Sequence, residues 1–201
     1  MDVCILTSLP KDSSLLSSCV DHCSLLGGSV EVLHDKLPNS VNNSTLYISF
    51  LGDTIIPKHL ITNHMYNTHP GPPWYRGWGS RLRTILDKKA THGATLHKVE
   101  EKVDSGKILR VLYFAVDDKD SMHYIHSKAE IACLNLVTWL IDNYLNNNVP
   151  TTKVDDWSGT FMTKSEYLRL IRLDIERMKN ERTTNQSSSY ARRRRVGTCK
   201  D

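Results

Sequence analysis

Apolar residues near the start of the chain switch between period two and helical spacing, in the order strand, helix, strand, strand. Residues 3–7 are a short β-rich run closed by Ser8-Leu9-Pro10. Asp12-Ser13 offers a helix start, and Leu15, Leu16, Cys19, Val20 and Cys23 recur at helical spacing until Gly27-Gly28 interrupts them. Residues 30–33 predict a second strand. Residues 46–51 predict a third, apolar enough to be buried on both faces of a parallel sheet. A short helix is expected at 57–61, an extended segment at 65–69 and a helix at 81–87. Residues 94–99 alternate as a half-buried strand does, and 108–115 form another. Residues 121–146 give the clearest helix, striped by Ile125, Ala129, Cys133, Leu136, Leu140 and Ile141. Thr163-Lys164-Ser165-Glu166 opens a last amphipathic helix through Met178.

This order predicts an α/β fold: an open, mostly parallel twisted sheet flanked by helices, with a short helical extension at the C-terminal side. Sites in such sheets form beyond the carboxyl ends of the strands. Residues 1–150 read as the main domain. Residues 151–182 read as an extension, packed on the core or at a dimer interface. Ser, Asn and Arg dominate from Thr183, which predicts a disordered basic tail over 183–201.

Composition narrows the class. The 201 residues are 39% hydrophobic and 24% charged, and no apolar run is long enough for a transmembrane helix. Met1 to Ser8 lacks a basic region before its apolar stretch, so a cleaved signal peptide is not expected. Five cysteines form no C-x-x-C pair, and a reducing, cytoplasmic setting is expected. The net charge of +4 belongs to the tail: residues 181–201 hold six basic and two acidic residues, leaving twenty of each elsewhere. A neutral body argues against a nucleic-acid partner. Arg192–Arg195 reads as a solvated tail or an anion-binding patch.

The chemistry concentrates in residues 67–106. Asn67-Thr68-His69-Pro70-Gly71-Pro72-Pro73-Trp74-Tyr75-Arg76-Gly77 is followed by Gly93-Ala94-Thr95-Leu96-His97 and then by Asp104-Ser105-Gly106. Asn67 and His69, two apart on an extended segment, point to the same side. An Asn amide can face an oxyanion without proton bookkeeping. A His manages protons near neutral pH, and a carboxylate orients it and eases its protonation. Pro70, Pro72 and Pro73 stiffen the exit of the segment.

These three blocks resemble the formyltransferases that use 10-formyltetrahydrofolate: glycinamide ribonucleotide transformylase, methionyl-tRNA formyltransferase and the sugar N-formyltransferases. The likeness covers about residues 46–145. It implies that Asn67 stabilises the oxyanion, His69 handles the proton and Asp104 positions His69 or a shuttling water. Gly52, Thr54, Ile55 and Ile56, with Lys102, Val103 and Asp104, would hold the folate. Transfer would be direct, with 10-formyltetrahydrofolate as donor co-substrate, a primary amine as acceptor and no metal.

Departures from the pattern bear on the acceptor. Thr7-Ser8-Leu9-Pro10-Lys11-Asp12-Ser13 has no glycine where the purine enzyme carries a phosphate-binding loop, and Pro10 removes a donor. The length leaves no room for the C-terminal barrel of the tRNA enzymes. Residues 156–163 resemble the aromatic extension of the sugar enzymes, so a nucleotide-linked amino deoxysugar leads as acceptor. Glycinamide ribonucleotide and water are rival acceptors, and an idle folate- or nucleotide-binding protein is the non-enzyme rival. Lys11, Trp74, Tyr75 and Arg76 are the acceptor-binding candidates; the aromatics could equally pack over the core, and Arg76 could brace its loop. His59, His64 and His69, five apart, match no zinc spacing. His97 is expected on the outward side of its strand, and His123 and His126 on a helix surface. His92, Trp74 and Trp78 depart from the family. Trp157 and Phe161 read as a lid on the core or a dimer contact.

Overall fold

The computed structural model describes residues 2–150, 154–173 and 175–176. The chain divides into two units, Met1–Phe161 and Met162–Asp201. The first runs β1 (Asp2–Thr7), α1 (Ser14–Leu25), β2 (Ser29–His34), β3 (Thr45–Phe50), a 3₁₀ turn (Lys58–Leu60) and β4 (Met65–His69). Two-residue β5 (Arg76–Gly77), α2 (Ser80–Leu86), β6 (Thr91–Lys98), β7 (Ile108–Ala115) and α3 (Met122–Leu145) follow. Six strands form one sheet in the order β2-β1-β3-β4-β6-β7. The four from β2 to β4 pair in parallel, and β6 and β7 add antiparallel. The mostly parallel α/β sheet expected from the sequence is present, and its direction reverses between β4 and β6.

Alternation along β1 divides the interior. Val3 and Ile5 join Ile48, Phe50 and Leu96 in a cluster with Cys19 and Cys23 of α1 and Leu136, Val137, Leu140 and Ile141 of α3. Cys4 and Leu6 join Tyr47 and Met65 in a second cluster, completed by Leu33, Leu37, Val41, Ile56 and Val99. Each fully buried aliphatic side chain of α3 contributes roughly 1.5–3 kcal/mol of transfer free energy. The helix has clear ends: Ser121 Oγ accepts the Tyr124 N–H at 3.1 Å, and Asn147 takes a left-handed conformation beyond the last turn. β3 stops at Phe50, one residue before the expected end, because Leu51 has φ 52° and leaves the ladder.

The first unit extends past residue 150, where the sequence suggests a boundary. Residues after 154 bond back to the strands: Val154 N donates to Ile108 O at 3.2 Å, and Tyr113 Oη to Asp155 Oδ2 at 3.0 Å. The second unit is helical at 164–173 and 175–176. Thr163 N donates to Glu166 Oε2 at 2.7 Å and Glu166 N to Thr163 Oγ1 at 3.2 Å, a reciprocal capping box. The predicted helix end at Met178 and the predicted tail over 183–201 lie outside the described residues. No described helix is long and apolar enough to cross a membrane.

Candidate active site

β4 delivers Asn67 and His69 to one side at the carboxyl end of the parallel strands, where it pairs across to His97 and Thr95 of β6. The chain then turns sharply. Gly71 N donates to His69 O at 2.8 Å, and Thr95 Oγ1 to Gly71 O at 2.7 Å. A Cβ at Gly71 would sit 2.5 Å from His69 Nε2, so the turn needs glycine for the imidazole to fit.

Asp104 arrives from the β6–β7 connection in a left-handed conformation, φ 47°. Asp tolerates that region better than most residues, and here the surroundings fix it. Gly77 N donates to Asp104 Oδ2 at 2.7 Å, while Arg76 donates from Nε to Asp104 O at 2.7 Å and from Nη2 to Val103 O at 3.4 Å. The carboxylate thereby faces two imidazoles. His69 Nδ1 lies 3.3 Å from Oδ2, and His97 Nε2 lies 3.4 Å from Oδ1.

Each ring has a second partner that restricts its tautomer. His97 Nδ1 donates to Lys98 O at 2.7 Å, which leaves Nε2 to accept from Asn67 Nδ2 at 3.0 Å. His69 Nε2 donates to Tyr75 O at 2.6 Å, which turns its other nitrogen to the carboxylate. The ring is thus flanked by two acceptors and is one proton short of satisfying both. Burial pushes His69 below its ordinary value, while Asp104 and the Tyr75 carbonyl pull the other way. Burial alone would raise the Asp104 carboxyl; the neighbouring His69 and His97 rings and the Gly77 N–H hold it well below the usual carboxylate range. A fixed anion beside a neutral, proton-accepting imidazole is the outcome.

Asn67 and His69 of one strand and the sequence-distant Asp104 therefore converge. The rest of the expected set is distributed. Gly52 and Thr54 are partly exposed beyond β3, Ile55 is 71% exposed and Val103 39%, Lys102 is exposed, and Ile56 packs on the second cluster. Among the acceptor candidates, Lys11 is exposed. Tyr75 is buried, its hydroxyl held by Asp87 and the Arg83 carbonyl, so it packs the loop and presents nothing to a ligand. Trp74 stacks on Tyr113 with centroids 5.5 Å apart. Arg76 is the brace of the Asp104 loop, the second of the two roles left open for it.

Two contributors escape sequence reasoning. His97, expected on an outward side, is 3% exposed, because β6 is an interior strand covered on both faces. The cross-strand register with Asn67 was the signal for it. Arg83, assigned only to a helix, is also buried. It donates from Nη2 to Arg76 O at 2.6 Å and Trp78 O at 3.1 Å, and from Nη1 to Thr160 O at 3.1 Å. Among the described residues no three His, Cys, Asp or Glu side chains gather to hold a metal.

An amide donor, a proton-accepting imidazole and a fixed carboxylate at the carboxyl end of the parallel strands suit acyl-group transfer. A family model described as formyl transferase matches residues 35–135, which include all three groups, and the chain belongs to that family. It is 28% identical over 111 residues to a methionyl-tRNA formyltransferase of Bacillus velezensis, covering 53% of this chain and 35% of that protein. It is 27% identical over 152 residues to a dTDP-4-amino-4,6-dideoxyglucose formyltransferase of Mycobacterium bovis, covering 75% and 62%. The chain thus spans roughly a third and three fifths of these two curated relatives. In structure it is similar to an Anoxybacillus kamchatkensis formyltransferase solved with UDP-4,6-dideoxy-4-formamido-L-AltNAc and tetrahydrofolate. The TM-score is 0.72 at 16% identity, over 86% of this chain and 91% of that one. A Helicobacter canadensis N-formyltransferase, solved with folinic acid and dTDP-3-aminofucose, gives 0.69 at 16% identity, over 82% and 71%.

Proposed function

We propose that the protein moves a formyl group from 10-formyltetrahydrofolate to the primary amine of a nucleotide-linked amino deoxysugar. The observation that carries this reading is the convergence of Asn67, His69 and Asp104, with His69 Nδ1 3.3 Å from the Asp104 carboxylate. The amine attacks the formyl carbon, and the second N–H of Asn67, the one not given to His97, faces the oxyanion that forms. His69 takes the proton of the attacking nitrogen and passes it toward N10 of the departing folate, and the Asp104 anion stabilises the transient imidazolium. The exposed apolar side chains of Ile55 and Val103, on the two connections flanking the triad, suit the walls of a pterin site.

The loop after β1 favours a sugar over glycinamide ribonucleotide. Ser8 Oγ donates to Asp35 Oδ1 at 2.6 Å and accepts the Asp53 N–H at 2.9 Å, while Leu9 N donates to Thr7 Oγ1 at 3.1 Å. The Ser8, Leu9 and Ser13 amides of this loop are bonded within the protein, and the Asp35 carboxylate sits against Ser8, which disfavours a phosphate there. The similarity to the dideoxyglucose enzyme of Mycobacterium bovis supports the same choice. The test is a panel of amines incubated with 10-formyltetrahydrofolate and read by mass spectrometry for addition of one CO. Formylation of a dTDP- or UDP-linked amino sugar is expected. A product only from glycinamide ribonucleotide or methionyl-tRNA overturns the sugar reading.

A further inference from the structure

Residues 154–160 run across the triad as a segment anchored at both ends and in the middle. Besides the bonds at Val154, Asp155 and Thr160, Ser158 N donates to Pro73 O at 3.1 Å. Gly159, φ +71°, lies so close to Trp74 O that no side chain would fit there. At the centre, Trp157 Nε1 donates to Gly106 O at 2.6 Å. Its ring meets His97 edge-on, centroids 4.9 Å apart at 85°, and His69 at 5.9 Å and 65°. One half-buried indole therefore contacts both imidazoles that flank Asp104, and His69, His97 and Asp104 are themselves buried.

We infer that Trp157 is the wall that keeps water from the formyl group, so that the amine and not water receives it. This deepens the proposed function and rests on its folate donor. The competing reaction needs no other protein group. A water oxygen bonds to the formyl carbon, the C–N10 bond breaks, N10 keeps the electron pair and takes a proton, and formate and tetrahydrofolate leave. His69 would serve water as base as readily as it serves an amine, so the enzyme must deny water access by shape. An apolar ring pinned against His69 and His97 does this on the side where those rings would otherwise meet solvent. The pinning distinguishes a standing wall from a mobile cover.

The test uses 10-formyltetrahydrofolate with no acceptor and reads formate and tetrahydrofolate release, with tetrahydrofolate binding measured by calorimetry. Trp157→Ala is expected to raise acceptor-free release about tenfold or more, and Trp157→Phe to stay within about threefold of the parent. Adding His69→Ala to Trp157→Ala is expected to return release to background. A gain of this kind is not what a loss of folding produces. If Trp157→Ala does not fold, Trp157→Val, whose short apolar side chain is too small to cover both imidazoles, is expected to leak in its place. A variant that binds tetrahydrofolate with unchanged affinity and releases formate at the parent rate overturns the wall. Failure of the parent chain to bind tetrahydrofolate overturns the donor reading, and the wall with it.

Discussion

Asn67 Nδ2 donates to His97 Nε2 at 3.0 Å, so the amide assigned to the oxyanion is held by a histidine outside the triad. If His97 acts through that amide, its loss matters only while Asn67 is present. Asn67→Ala is expected to lower turnover roughly a hundredfold or more, and His97→Ala about tenfold. In the double variant His97→Ala should add almost nothing. Steady-state kinetics of the four proteins decides it, and fully additive losses would give His97 an independent role.

Asp104 combines a charge with a left-handed backbone, and the two can be separated. Asp104→Asn keeps a residue suited to φ 47° and an oxygen for the Gly77 N–H. Stability is expected to stay within about 1 kcal/mol by urea unfolding, while turnover falls about a hundredfold or more. Retained turnover would make Asp104 a turn residue only.

Gly71 isolates the imidazole from the fold. The Cβ of Gly71→Ala would press on His69 Nε2 and displace the ring from Tyr75 O. Turnover is expected to collapse for about 1–3 kcal/mol of stability. Gly106→Ala is the contrast, because its Cβ would collide with backbone at Lys98 O, and thermal unfolding should show the larger loss there.

Acid sensitivity of folding is expected to come in part from His92. Fully buried, it is pushed down to about 4, first by burial and then by the nearby His69 ring, which disfavours a second proton. The unfolded chain binds a proton near pH 6.5 that the folded chain refuses until about 4. The stability tied to this group is therefore whole above about pH 6.5 and is lost as pH falls toward 4, by up to about 3 kcal/mol. His92→Gln should flatten that part of the curve in urea titrations at several pH values; an unchanged slope would count against it.

β1 and β3 were legible because they are buried on both faces and read as continuous apolar runs, and β4 and β7 have the bounds that the pattern predicts. The grouping of Asn67, His69 and Asp104 was legible because two of them share a strand side and the third sits in a recognisable Asp-Ser-Gly turn. His97 was not. On a strand buried on both sides, alternation carries no information about which face is which, and the side was assigned wrongly. Trp157 was singled out without its position, since nothing local says that residues 154–160 fold back over β4 and β6. Arg83 was invisible for a similar reason: its partners are carbonyls, which every residue has.

That arginine has a consequence for how such a protein can diverge. One guanidinium clasps the carbonyls of Arg76 and Trp78, beside the Asp104 brace, and that of Thr160, three residues beyond Trp157. The turn beside Asp104 and the segment that carries Trp157 thus share a single buried cation. Neither can shift without pulling on the other, so changes that retune one are expected to arrive in descendants paired with changes in the other.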